Sequence, residues 1–118
     1  GKEELALISP FHGEHIYIYR ETEEGYQKVY SYDTAEFAHA IYGGSLPGRP
    51  AVIIGHRKGE RNLLLFTWDQ DKGDFRADVL DRDCGPANVL KYLRDGEEVL
   101  ISTNREIDEV AMYTFEEE

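Results

Sequence analysis

The chain has 118 residues, 41 % hydrophobic, 31 % charged and 12 % aromatic, which excludes a disordered or low-complexity polymer and bounds the answer to about one domain. Its formal charge of −11, from 24 acidic against 13 basic residues, opposes a phosphate backbone and argues against general nucleic-acid binding. No apolar run approaches the roughly 20 residues that cross a bilayer, and the single cysteine, Cys84, excludes an intrachain disulfide. With no signal-like segment either, the expectation is a reducing, cytoplasmic setting without a membrane partner.

Taken in chain order, short runs rich in Val, Ile, Leu, Tyr and Phe alternate with turn residues, and no stretch carries a helical period with caps. Strands are predicted near 5–9, 15–20 and 26–32. A second set follows near 38–43, 50–56, 62–68 and 75–80. A third follows near 87–93, 98–103 and 109–115. The sets repeat. Leu5–Ser9, Ala51–Gly55 and Val99–Ser102 align, each followed by a polar loop and a second apolar strand. Tyr19, Phe66 and Tyr113 are spaced by 47 and 47; Gly25 to Gly73, Gly48 to Gly96 and Arg57 to Arg105 are each 48 apart. His39 to Asn88 is 49.

With the strands of one unit named A to D, the chain reads B-C-D, A-B-C-D, A-B-C. Four-stranded antiparallel units at this period are the signature of β-propeller blades, which must stack because one sheet cannot bury both faces. The expected fold is therefore all-β, about two and a half blades: a partial blade over 1–33, a full blade over 34–82 and a partial blade over 83–118. Starting at B and stopping at C leaves unpaired edges, so the chain is expected to be part of a longer propeller or to complete itself with other copies. A small open β-sandwich or barrel is the alternative.

In an up-and-down meander the D–A and B–C connections share one end, and the A–B and C–D hairpins share the other. The first end receives His12, His15, His39, His56, Arg57, Lys58, Arg61, Cys84, Asn88, Asn104 and Arg105. The hairpins carry Glu21, Glu23, Glu24, Asp69, Asp71, Asp74, Asp95, Glu97 and Glu98. Guanidinium forks hold carboxylates, phosphates or sugar hydroxyls, and neutral imidazoles ligate metals or move protons. The candidate ligand-binding residues are thus His39, His56, Arg57, Asn88, Asn104 and Arg105. Among them His39 and His56 are the candidate ligands of a divalent transition metal, and His39, His56, Arg57 and Arg105 the candidate catalytic groups. The opposing expectation is that these residues bond to neighbouring loops.

Three other features read as structural. His12 and His15 have H-x-x-H spacing without a further ligand in register, Cys84 before Gly85-Pro86 suits a buried turn, and Asp69–Asp74 lacks the ligand spacing of a calcium loop.

The blade pattern resembles FG-GAP/VCBS-type propeller repeats. Ala51–Arg57 followed by Leu63–Phe66, then Ala87-Asn88 and Ile101–Arg105, is similar to the propeller of aldos-2-ulose dehydratase-like proteins. That resemblance implies a seven-bladed ring with a metal-assisted sugar-lyase site at the channel mouth, carried at His39, His56, Arg57, Asn88 and Arg105. FG-GAP repeats often place an aspartate-rich calcium loop between A and B, whereas this chain has Ser45–Arg49 and Arg94–Glu97 there, which argues against calcium. Two functions follow as expectations. One is a non-catalytic binding or scaffolding segment, its ligand a small polar molecule or a protein partner. The other is a metal-dependent lyase or isomerase acting on a sugar.

Overall fold

The computed structural model describes residues 4–8, 15–33, 38–46 and 49–115. Among them ten strands form, in the places the sequence repeat indicates: β1 (Glu4–Ile8), β2 (Ile16–Thr22), β3 (Gly25–Tyr32), β4 (Ala38–Leu46), β5 (Arg49–His56), β6 (Leu63–Asp69), β7 (Asp74–Asp81), β8 (Pro86–Arg94), β9 (Glu97–Asn104) and β10 (Glu109–Thr114). They make three separate antiparallel meanders, β1-β2-β3, β4-β5-β6-β7 and β8-β9-β10, none closed into a barrel. A 3₁₀ turn, Arg105–Ile107, sits between β9 and β10 and has no signal in the sequence pattern.

Turn chemistry sets the hairpins. Asp95 and Gly96 both have positive φ (50° and 82°), the two-residue geometry whose twist matches flanking antiparallel strands. Between β6 and β7, Asp69 Oδ1 accepts the N–H groups of Asp71 (3.0 Å) and Lys72 (3.2 Å), and the Asp69 carbonyl accepts from Gly73 (2.9 Å). The Asp69–Asp74 segment is a plain hairpin turn, as its spacing indicates.

The sheets stack face to face in chain order. One core joins the first sheet to the second through Ile16 and Ile18 against Ile54, Leu64, Phe66 and Phe75. The other joins the second to the third through Ala51, Ile53, Leu63 and Leu65 against Leu100, with Val89 and Tyr113 at its edge. Successive side chains of a strand point to opposite faces. Even-numbered residues of β5 and β6 therefore meet the first sheet and odd-numbered ones the third. Both faces being covered, β6 is buried at five consecutive residues, Leu63 to Thr67, without polar alternation.

Gly55 lies hard against Pro86 of the third sheet: a Cβ there would overlap the proline ring. Only a residue with no side chain lets β5 pass β8 at that point.

Candidate functional site

The antiparallel meanders gather the B–C and D–A connections at one end, so His15, His39, His56, Arg57, Asn88, Asn104 and Arg105 do share an end of the stack. His12 lies outside the described residues. What brings most of them there is the joining of loops and sheets.

His56 closes β5 and is 1 % exposed. Its Nε2 accepts the backbone N–H of Asn62 at 3.0 Å, and its Nδ1 lies 2.9 Å from the Lys58 carbonyl. A carbonyl can only accept, so Nδ1 carries the proton and both ring nitrogens are engaged. The His56 N–H also donates to the Asn62 carbonyl at 3.1 Å. This one residue folds the six-residue B–C loop back on itself. The loop in turn holds the D–A segment: the Arg61 carbonyl accepts from Cys84 (2.8 Å) and Gly85 (3.0 Å), and Arg61 Nε donates to Asp83 at 2.8 Å.

His39 lies at a β-bulge of β4, where the register with β5 shifts between Ala38 and Ala40. Its Nδ1 donates to the Ala87 carbonyl at 2.7 Å, from the second sheet to the third. Ala87 occupies the matching bulge of β8, between Pro86 and Asn88. Ala38 faces His56 and Pro86 faces Asn104, so the true offset is 48 and the counterpart of His39 is Ala87. The alignment of His39 with Asn88 is corrected by one residue, which in a strand reverses the face. Asn88 is exposed, and its backbone N–H donates to Thr103 Oγ1 at 3.1 Å.

The two periodic arginines behave differently. Arg57, its side chain 15 % exposed, donates through Nε to Glu106 Oε1 at 2.8 Å and joins the second sheet's loop to the 3₁₀ turn of the third. Arg105 begins that turn and is exposed.

Asn104, at the His56 position of the next repeat, is fully buried. Its Oδ1 accepts from Ser102 Oγ at 2.6 Å, and its Nδ2 donates to Glu109 (3.0 Å) and to the Tyr113 hydroxyl (3.3 Å). That hydroxyl donates to Asp81 Oδ2 at 2.6 Å, back across to the second sheet. Burial first, and the Asp81 bond second, raise the Tyr113 pKa. Asp81 and Tyr113 were not evident as site residues from the sequence; the only signal was the recurrence of an aromatic at 19, 66 and 113.

The remaining candidates are also accounted for. His15 Nδ1 lies 2.9 Å from Asp33 Oδ1, an oxygen that also accepts from Ser31 at 2.7 Å. The Ser31 bond, then the His15 bond, hold the Asp33 carboxyl below its ordinary range. Cys84 is 1 % exposed, and burial, aided by the Asp81 carboxylate, pushes its thiol up to about 11. At neutral pH it is protonated and shielded, the state of a packing residue.

Among the described residues no three His, Cys, Asp or Glu side chains come together as a metal-holding set, and no helix is long and apolar enough to cross a membrane. At the hairpin end a cleft of about 380 Å³ opens between the first and second sheets, lined by Ile18, Gly43, Val52, Phe66, Trp68 and Phe75 among others. Arg20 lies at its lip, 4.8 Å from the Trp68 ring centre. Every described lining residue is apolar or glycine, and none of them is an acid or base. Comparison with protein-family models, with curated proteins and with solved structures found no match to this chain.

Proposed function

We propose that the chain is a non-catalytic scaffold and binding segment of the β-propeller type, in which the histidine- and arginine-rich end locks successive sheets together. The observation that carries this reading is the use made of His56. Both of its nitrogens are spent on backbone groups of its own loop, so ligating a metal or taking a proton at Nε2 would leave the buried Asn62 N–H without its acceptor. The contacts around it support the same role: His39 to Ala87, Arg57 to Glu106 and Tyr113 to Asp81 each cross from the second sheet to the third.

The sugar-lyase reading needs His39 or His56 as metal ligand or base, and Arg57 or Arg105 on the developing oxyanion. Three of those four are already engaged: His56 by its own loop, His39 by the Ala87 carbonyl and Arg57 by Glu106.

The test is the metal content and melting temperature of the purified chain and of its His56→Ala variant. A scaffold gives a metal-free protein whose variant melts lower. Stoichiometric transition metal in the parent chain, lost from a variant that still folds, overturns the reading in favour of the lyase.

A further inference from the structure

The three sheets use the same positions for the same contacts, and in the third sheet one set of them stays largely exposed, although Val99 on that face is buried and Ile101 half-buried. In the second sheet the row Tyr42–Ile53–Leu65, with Leu63 beside it, faces the third sheet. Ile53 and Leu63 are fully buried and Leu65 is 5 % exposed. One repeat later the register gives the row Leu90–Ile101–Met112, with Val110 beside it. These point away from the second sheet. Leu90 is 61 %, Met112 52 % and Val110 72 % exposed. A contiguous apolar face of this kind on a protein of net charge −11 marks an interaction surface.

The repeat also says what covers it. Ile16 and Ile18 of the first sheet meet Phe66 of the second, and Leu63 and Leu65 of the second meet Tyr113 of the third. The residue that precedes this series at the same spacing is Tyr19, on the outward face of the first sheet beside Tyr17. We propose that the bare face of the third sheet docks the outward face of the first sheet of a second copy of this chain, with Tyr19 and Tyr17 seated over Leu90, Met112 and Val110.

Each copy then continues the stacking already present between its own sheets. At the hairpin end the bare face carries Arg94, over Met112 at 3.4 Å, opposite Glu97, and the docking face carries Glu21 together with Lys28, 4.4 Å from the Tyr17 ring centre, so both faces hold mixed charge that can pair. The contact is head to tail, using two different faces, so association yields a ring or a chain of copies. Because each copy is strongly acidic, salt strengthens it by screening the overall repulsion.

This inference rests on the stacked-sheet reading above, but metal content does not bear on it and oligomeric state does not bear on His56, so either can fail alone. The experiment is sedimentation velocity of the 118-residue chain over a concentration and salt series, with single variants Val110→Lys and Leu90→Lys on the bare face and Tyr19→Lys on the docking face. Lysine lowers the net negative charge, so lost association cannot be blamed on added repulsion. We expect concentration-dependent association of the parent, weakened about tenfold or more by each lysine. We also expect a one-to-one dimer when folded Leu90→Lys and Tyr19→Lys are mixed, since each retains the face the other has lost. Glu21→Lys replaces Tyr19→Lys if the latter melts early. A parent that stays monomeric at millimolar concentration overturns the proposal. So does association that survives Val110→Lys, or a mixture of the two variant classes that forms no dimer.

Discussion

The second and third sheets make an instructive pair, because the same strand positions are buried in one and open in the other. Leu65 and Met112 hold equivalent places, as do Leu63 and Val110. The second sheet is covered on both sides and needs an unbroken apolar strand; among the described residues the third leaves Leu90, Val110 and Met112 exposed on its outer side, where only Val99 is fully buried. Residue type therefore follows the repeat, whereas energetic consequence follows the neighbour. Hydrophobicity is encoded by the unit, and stabilisation is supplied only where another unit arrives.

The sharpest way to break that comparison is to truncate both members of a pair. Leu65→Ala should lower stability by about 2 to 5 kcal/mol, the cost of a cavity in a closed core. Met112→Ala in the monomer should stay within about 0.5 kcal/mol. Chemical denaturation at low protein concentration measures both; equal losses would mean that the outer face of the third sheet is covered after all.

A smaller effect is expected at the end of β5. His56→Ala leaves the Asn62 N–H and the Lys58 carbonyl without their partner, and Asn62 is 2 % exposed, so the cost should be about 1 to 3 kcal/mol. Gly55→Ala should cost about as much for a steric reason, because its Cβ would be forced into Pro86. The matching position of the third sheet, Thr103, is exposed and already bears a side chain. Thr103→Ala removes only an exposed bond to the Asn88 N–H and should cost at most about 1 kcal/mol, and a larger loss there would contradict an open third sheet.

These cases show what the sequence made legible. All ten strands and their grouping into three meanders followed from apolar runs, turn residues and a period near 48, since each is a local property. So did the placing of His15, His39 and His56 with Arg57 and Arg105 at one end, although Arg20 and Arg94 lie at the other. Their roles were not legible, because a side chain's partner depends on which groups fold close to it. His56 turns inward to its own loop. Arg57 finds Glu106 49 residues away, and Tyr113 finds Asp81 32 residues away. The bulge at His39 hid in the same way: an extra residue in a strand shifts the register without altering composition.

The Tyr113 contact gives the next prediction in size. Tyr113→Phe removes the hydroxyl that joins Asn104 to Asp81, at about 1 kcal/mol. It also bears on alkaline stability. Tyr113 and Cys84 are both held neutral in the folded chain, the thiol up to about 11. In the unfolded chain the thiol ionises near its ordinary value of about 8.5 and the phenol near about 10. Above those values the unfolded state binds fewer protons than the folded one, so stability falls as pH rises. Melts between pH 8 and 11 should show this decline. Cys84→Ala should flatten its lower part and Tyr113→Phe its upper part; a parent chain with flat stability over that range would show that neither group is protected.

The smallest expected effect concerns the two arginines that recur at the period. Arg57 is tied to Glu106 across the sheet boundary, with both side chains partly screened from water, whereas Arg105 is exposed. A partly exposed pair contributes up to about 1 kcal/mol. Arg57→Ala and Glu106→Gln should therefore each lower stability slightly, and the double variant should lose less than their sum, because the second change removes a partner already gone. Arg105→Ala should leave stability unchanged. If instead Arg57→Ala is silent and Arg105→Ala is not, the lock between the second and third sheets lies elsewhere, and Arg57 returns to consideration as a group held ready for an anionic ligand.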